Sequence, residues 1–408
     1  MIYEKRSGSL VEINGSCHKK FLPVKDAFAE NFASGDEIGA AVSIFHKGVK
    51  VVDLWAGYKN VLAKEVWDSD TSVPFFSVTK GITSLCFLML AERKKIKYDN
   101  PVSTYWPEFG KNGKESITVK QLLEHTAGLH ALKKSLSIND FWNNPTKVYG
   151  ALIDQKPAWA PGTKQAYGAQ IWGAYAAELF KQIAGESAGK FFQREVAKKL
   201  KLNLFLGLPN GLESKVATIY PVSNIRRIML LLPQILRGEG SEGRAGRAVL
   251  FGLGNSEVNK AYLNPSMGTR GLNAFNDPLL HKQELLWANG IGDARSLATL
   301  FNVLAHGGKK GKLKLVGNSM LKIVTAKRDL LYDEVIHKRM AWSLGFLKEE
   351  DGLFSPNFET FGHPGMGGCL AFADTRAKIS FGYVCNKMDY RVRPPKTLRL
   401  AHSVYKCL

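Results

Sequence analysis

Apolar residues first recur at helical spacing at Val24, Ala27, Phe28 and Phe32, which predicts an amphipathic helix over residues 24–32 that breaks at Ser34-Gly35-Asp36. The pattern then turns β-rich. Residues 38–45 and 49–55, joined at His46-Lys47-Gly48, predict an antiparallel hairpin. Apolar density peaks between Ile82 and Leu90, behind an extended approach that Pro74 ends, so a buried helix is expected from Ser77 onward. Thr118 is a fitting N-cap for a short helix over 118–125, with Gly128 closing the turn after it. Helical patterns dominate from residue 133 to 322: 165–183, then 187–200 after Ala184-Gly185-Glu186, then 293–306, stopped by Gly307-Gly308. Between 204 and 286 the pattern supports only loops and short helices. Strands return at 342–347, 369–372 and 379–385, the last two joined at Asp374-Thr375-Arg376.

Strands at both ends with helices between predict an α+β fold. The expected architecture is a central antiparallel sheet, built from N- and C-terminal segments and flanked by helices, with a mainly helical lobe inserted. The whole chain, 1–408, is expected to form one domain, with an α/β lobe of approximately 1–100 and 323–408 and a helical lobe of approximately 101–322. A cleft between such lobes is the usual place for a site.

Composition narrows the class. The chain has 408 residues, 45% of them hydrophobic and 23% charged, which is ordinary for a globular protein. No apolar run approaches the ~18–20 residues that a membrane span needs. Lys5 and Arg6 have no apolar core behind them, so no signal peptide is expected. The cysteines (Cys17, Cys86, Cys369, Cys385, Cys407) are odd in number and lack C-x-x-C spacing, which argues against a disulfide framework or a zinc site and for a reducing, cytoplasmic setting. The net charge of +20 falls in short separate clusters without a nucleic-acid motif, so a solvated basic surface is expected rather than a nucleic-acid partner. The run Ile228-Met229-Leu230-Leu231-Leu232, flanked by Arg226, Arg227 and Arg237, fits a buried helix, the favoured reading, or a peripheral contact with a membrane interface. Nothing in the chain reports its oligomeric state.

Ser77 and Lys80 lie three apart, on one face of the predicted helix. A lysine that loses its proton among apolar neighbours can accept one from a serine hydroxyl. The spacing alone is weak evidence, because S-x-x-K also begins at Ser16, Ser187, Ser319 and Ser403. At those four positions a surface serine is expected. Only Ser77 opens a long apolar helix after an extended approach. A competitor is Gly185-Glu186-Ser187-Ala188-Gly189, which matches G-x-S-x-G. That elbow needs a preceding strand, and here the preceding segment is helical, so Ser187 is expected to cap the next helix. His125 and His130 are five apart across a glycine turn, a poor metal spacing, and His125 is expected to be a hydrogen-bonded turn residue. No paired carboxylates and no Gly-rich phosphate loop stand out.

Several stretches, in order along the chain, resemble the serine β-lactamase-type family, close to class C β-lactamases and family VIII carboxylesterases. They are Gly39-Ala40-Ala41, Val52-Asp53-Leu54-Trp55, Phe76-Ser77-Val78-Thr79-Lys80-Gly81, Tyr105-Trp106-Pro107-Glu108-Phe109, Leu122-Leu123-Glu124-His125-Thr126-Ala127-Gly128-Leu129, Trp159-Ala160-Pro161-Gly162-Thr163 and Phe361-Gly362-His363-Pro364-Gly365. The resemblance implies a β-lactamase/transpeptidase-like fold and a serine hydrolase that works through an acyl-enzyme on a small acyl substrate, with no metal and no cofactor. It implies that Ser77 is the nucleophile, Lys80 its proton acceptor, and Tyr167 a relay whose phenol is acidified by a neighbouring lysine. The backbone N–H groups of Ser77 and Met366 would form the oxyanion hole, and His363 and Gly365 would bind substrate. The chain departs from lactamases in two places: Tyr167-Gly168-Ala169 lacks the usual asparagine, and His363 stands where a lysine would attract a β-lactam carboxylate. Both departures favour small esters over antibiotics. The competing expectation is a catalytically weak or inactive relative that keeps the fold as a binding or scaffold module.

Overall fold

A computed structural model describes residues 2–4, 10–251 and 256–408. Its centre is a ten-stranded antiparallel sheet. The strands are β1 (Ile2–Glu4), β2 (Leu10–Cys17), β3 (Gly39–His46) and β4 (Val49–Asn60) from the N-terminal part, with the short strand Glu65–Val66 paired to β4. A separate small sheet joins β5 (Val73–Pro74), β6 (Leu204–Leu206) and β7 (Gly290–Gly292). The C-terminal part returns to the large sheet with β8 (Trp342–Ser343), β9 (Phe346–Lys348), β10 (Phe361–Pro364), β11 (Leu370–Asp374) and β12 (Ile379–Cys385). The order across it is β1-β2-β4-β3-β12-β11-β10-β9-β8, so N- and C-terminal segments meet where β3 pairs with β12. This is the α+β arrangement that the alternation of patterns predicts.

The hairpin at 46–48 forms because Lys47 and Gly48 both take positive φ, +50° and +83°, the hand that matches strand twist. The predicted single strand over 342–347 is instead a hairpin: Leu344 and Gly345 have φ +49° and +91°, and β8 folds back on β9. The helices include α1 (Leu22–Ala33), α2 (Val78–Glu92), α3 (Val119–Leu123), α4 (Ile171–Ala184), α5 (Ala188–Phe192), α6 (Asn224–Arg237), α7 (Gly240–Phe251), α8 (Glu257–Leu263), α9 (Ala294–Ala305) and α10 (Pro395–Tyr405), with further helices at Pro145–Asp154 and Asn318–Thr325. Thr118 caps α3 with a reciprocal contact to Gln121, and Asp293 caps α9 by accepting from the Ser296 N–H. Gly382 of β12 lets α9 approach the sheet closely, since a Cβ there would lie 2.4 Å from the Ala294 carbonyl oxygen.

Two helical expectations need correction. The helix predicted over 165–183 starts only at Ile171, because Gln165 bridges Asp333 and both the Gln165 side chain and the Tyr167 N–H donate to the Asp333 carboxylate. The run 228–232 is helical, within α6, but it is not buried: Ile228 and Met229 are 61% and 68% exposed. Ser403, expected at the surface, is buried in α10 and donates to the Leu400 carbonyl. Among the described residues no helix is long and apolar enough to cross a membrane.

Candidate active site

α2 is a wedge. It packs against β10 and β9 of the large sheet on one side and against α4 and α5 on the other. All residues from Val78 to Leu90 are buried, so its position is fixed by the apolar density that marks it in the sequence. Its N-terminus emerges beside the end of β10.

The approach to α2 is held under strain. Phe75 donates its N–H to the Gly290 carbonyl at 3.0 Å, and Phe76 then adopts φ +49°, a region costing an aromatic residue of order ~1–3 kcal/mol. The Phe76 ring is anchored on Phe275, with centroids 4.9 Å apart. This kink turns the chain from strand to helix at Ser77, whose side chain makes no capping bond. The Ser77 hydroxyl is thus available to other partners. Tyr167 OH donates to Ser77 Oγ at 3.0 Å, and Lys80 Nζ lies 3.4 Å from the same oxygen.

Lys80 is fully buried. Its Nζ donates to the carbonyls of Ala169 at 2.9 Å and Trp287 at 3.1 Å. Burial holds its pKa well below the ordinary lysine value. A neutral amine has two N–H bonds and one lone pair. With both N–H bonds given to carbonyls, the lone pair is left for Ser77.

Tyr167 sits in the extended segment ahead of α4. Its N–H donates to Asp333 Oδ1 at 3.2 Å, and its ring stacks on Trp342, with centroids 5.8 Å apart and planes 9° apart. His125, at φ +60°, lies against the same ring and accepts the Gly168 N–H at its Nδ1. This matches the expected turn role and adds a wall to the site. The expectation that Tyr167 is acidified is overturned: burial raises its phenol, outweighing the hydrogen bond to Ser77.

At the end of β10, Gly365 packs so tightly on the α2 approach that a Cβ would lie 2.3 Å from the Phe75 carbonyl oxygen. Met366 follows directly, at the start of the turn Met366–Gly368. Among the described residues, neither the Ser77 nor the Met366 N–H donates to another group. His363 is buried, its Nδ1 2.7 Å from the Pro364 carbonyl and its Nε2 without a partner. Burial first, then the nearness of Lys80, holds its pKa well below the usual histidine value, so it is neutral at pH 7.

Ser77, Lys80, Tyr167, His363 and Gly365 therefore gather at one place, where the start of α2, the Tyr167 segment and the end of β10 meet. Ser187 lies elsewhere: it caps α5, accepting from the Lys190 N–H and donating to Glu284 at 2.7 Å. His130 is engaged with Glu257 and stacked on Trp159. No group of three or more His, Cys, Asp or Glu side chains among the described residues could hold a metal ion. Sequence reasoning missed Asp333, Trp342 and the Trp287 carbonyl. The first two lie far along the chain without a motif, and a carbonyl has no residue signature.

The family model described as Beta-lactamase matches residues 24–406. The esterase/beta-lactamase LipL of Mycobacterium tuberculosis is 27% identical over 380 residues, covering 92% of this chain and 83% of LipL. The crystal structure of a family VIII carboxylesterase superimposes with a TM-score of 0.84 at 32% identity, covering 97% of this chain and 100% of that one. A penicillin-binding protein homologue from Caulobacter crescentus superimposes with a TM-score of 0.82 at 28% identity, again over 97% and 100%. The matched region takes in α2, the Tyr167 segment and β10 alike, and the chain belongs to the beta-lactamase family of serine hydrolases.

Proposed function

We propose that the protein hydrolyses small carboxylic esters through an acyl-enzyme on Ser77. The observation that carries this reading is the convergence of Tyr167 OH and Lys80 Nζ on Ser77 Oγ, at 3.0 and 3.4 Å, with the lysine pKa held well below its ordinary value by burial. Lys80 takes the Ser77 proton as Oγ attacks the ester carbonyl. The oxyanion is stabilised by the N–H groups of Ser77 and Met366. As the C–O bond breaks, the proton passes from the Lys80 ammonium by way of the Tyr167 hydroxyl to the departing alkoxide. A water molecule then repeats the sequence on the acyl-enzyme, with Lys80 accepting its proton, and releases the acid. In this reading the chain is one catalytic unit. Residues 101–322 bring Tyr167 to the nucleophile, base and oxyanion donors of residues 1–100 and 323–408.

Esters are preferred to β-lactams because two contacts are missing. Ala169 offers no side-chain amide, and a neutral His363 offers no cation for a carboxylate. Losing one neutral and one charge-assisted hydrogen bond costs about 2–4 kcal/mol, or ~30–1,000-fold in turnover. The names of LipL and the carboxylesterase support an ester substrate. The test is intact-mass detection of a fluorophosphonate adduct, with kcat/KM measured for p-nitrophenyl butyrate and a chromogenic cephalosporin. The adduct should form on wild type and Ser187→Ala and be absent from Ser77→Ala, and the ester should be favoured. Labelling that follows Ser187, or no labelling at all, overturns the mechanism; a cephalosporin rate equal to the ester's overturns the substrate class.

A further inference from the structure

α6 inverts the usual logic of a surface helix. Ile225, Ile228, Met229, Leu232 and Leu236 are spaced three, four, seven and eleven residues from the first, so they form one apolar stripe. Such a stripe ordinarily faces the core. Here it faces solvent, with exposures of 75%, 61%, 68%, 45% and 68%. The helix makes its internal contact with the opposite side instead. Gln234 and Ile235 abut Gly243 and Gly246 of α7, where an added Cβ would lie 2.5 Å from the Gln234 carbonyl oxygen and 2.5 Å from Ile235 Cγ1. The two helices thus close on each other as a hairpin through a glycine face, turning at Gly238 with φ +66°. The hairpin is tied to the body by Arg244, which donates to the His337 carbonyl from Nε and Nη2 at 3.0 and 2.9 Å. Leu250, 55% exposed, extends the apolar surface onto α7.

The charge around the stripe has one sign in excess. The hairpin carries Arg226, Arg227, Arg237, Arg244 and Arg247 against Glu239 and Glu242, in a chain of net charge +20. Arg226 and Arg237 each follow a stripe residue directly, so they flank it on one side about 100° round the helix; both are exposed, and Arg237 lies 4.0 Å from Glu239. An exposed apolar stripe edged by arginines is the pattern of a helix that lies in a lipid interface. We propose that the α6–α7 hairpin docks this protein on an anionic lipid surface. The stripe enters the boundary between headgroups and acyl chains, and Arg226 and Arg237 pair with lipid phosphates. A second copy of the chain would bring an equally net-basic hairpin against the stripe, whereas an anionic bilayer satisfies stripe and charge together.

The test is co-sedimentation of the full chain with phosphatidylcholine vesicles, with and without phosphatidylserine, at about physiological salt. Wild type should bind the anionic vesicles, with affinity falling as salt rises. The pairs Met229→Asp/Leu236→Asp and Arg226→Glu/Arg237→Glu should each reduce binding at least ~10-fold. Their thermal midpoints should match wild type, because all four side chains are exposed, so a loss of binding is not a loss of folding. Absence of binding to anionic vesicles, or variants that bind like wild type, overturns the proposal. A concentration-dependent dimer that Met229→Asp/Leu236→Asp abolishes, without vesicle binding, overturns it in favour of self-association.

Discussion

Lys80 is the residue on which the chemistry and the stability of the site pull in opposite directions. In an unfolded chain a lysine titrates near ~10.4, and burial holds Lys80 well below that in the folded protein. Between the two values the unfolded chain binds more protons, so stability rises with pH. The cost of burying Lys80 is fully present below its folded pKa and vanishes above ~10.4. Lys80→Met removes this dependence. Its stability relative to wild type, measured by urea unfolding, should therefore be greatest at low pH and decline steadily as pH approaches ~10.4. A difference that stays flat with pH would show that Lys80 is charged in the fold. Kinetics give a second view. The rising limb of kcat/KM against pH should belong to Lys80, since the Tyr167 phenol, raised by burial, stays protonated throughout. Tyr167→Phe should cut kcat by ~10²–10³-fold yet leave the limb where it was. A limb that disappears with the hydroxyl would return the role of base to tyrosine.

Among elements, the meeting of β10 with the start of α2 is the most constrained. Gly365 is required there by the Phe75 carbonyl, so Gly365→Ala must push the strand end away from the helix. That movement separates the Ser77 and Met366 N–H groups. Because an oxyanion is bound only in the transition state, the expected loss is in kcat, by ~10²–10³-fold, with KM changed far less. A variant with normal kcat would remove Met366 from the oxyanion hole. The elements also show where periodicity misleads. Residues 342–347 read as one strand because Leu344 is apolar, yet its positive φ makes the turn of a hairpin. The stripe of α6 reads as core because periodicity reports that a face is apolar, not what covers it.

Across the whole molecule, the excess of basic residues acts through long-range fields rather than through the site, where burial holds the Lys80 and His363 pKa values well below their ordinary ranges. An ester bearing a carboxylate should therefore be drawn to the protein at low ionic strength and lose that advantage as salt rises, because the screening length falls from ~30 Å at 0.01 M to ~3 Å at 1 M. The ratio of kcat/KM for a carboxylate-bearing ester to that for a neutral one should fall several-fold over this range. A ratio independent of salt would show that the surface charge faces away from the substrate's path.

What the sequence determined by itself was the α+β class, the hairpin at Lys47-Gly48, the helix behind Ser77 and the cap at Thr118. These rest on local causes: alternation, apolar density, capping side chains and residues that tolerate positive φ. The same local logic set Ser187 aside as a cap. What only the tertiary structure decided is the state of each group at the site. Burial holds the Lys80 pKa well below the ordinary lysine value, the Tyr167 phenol is raised by its enclosure beside Trp342 and His125, and Asp333 anchors Tyr167 from a strand far along the chain. Protonation depends on burial and on neighbours brought together by folding, and neither is written at the residue's own position.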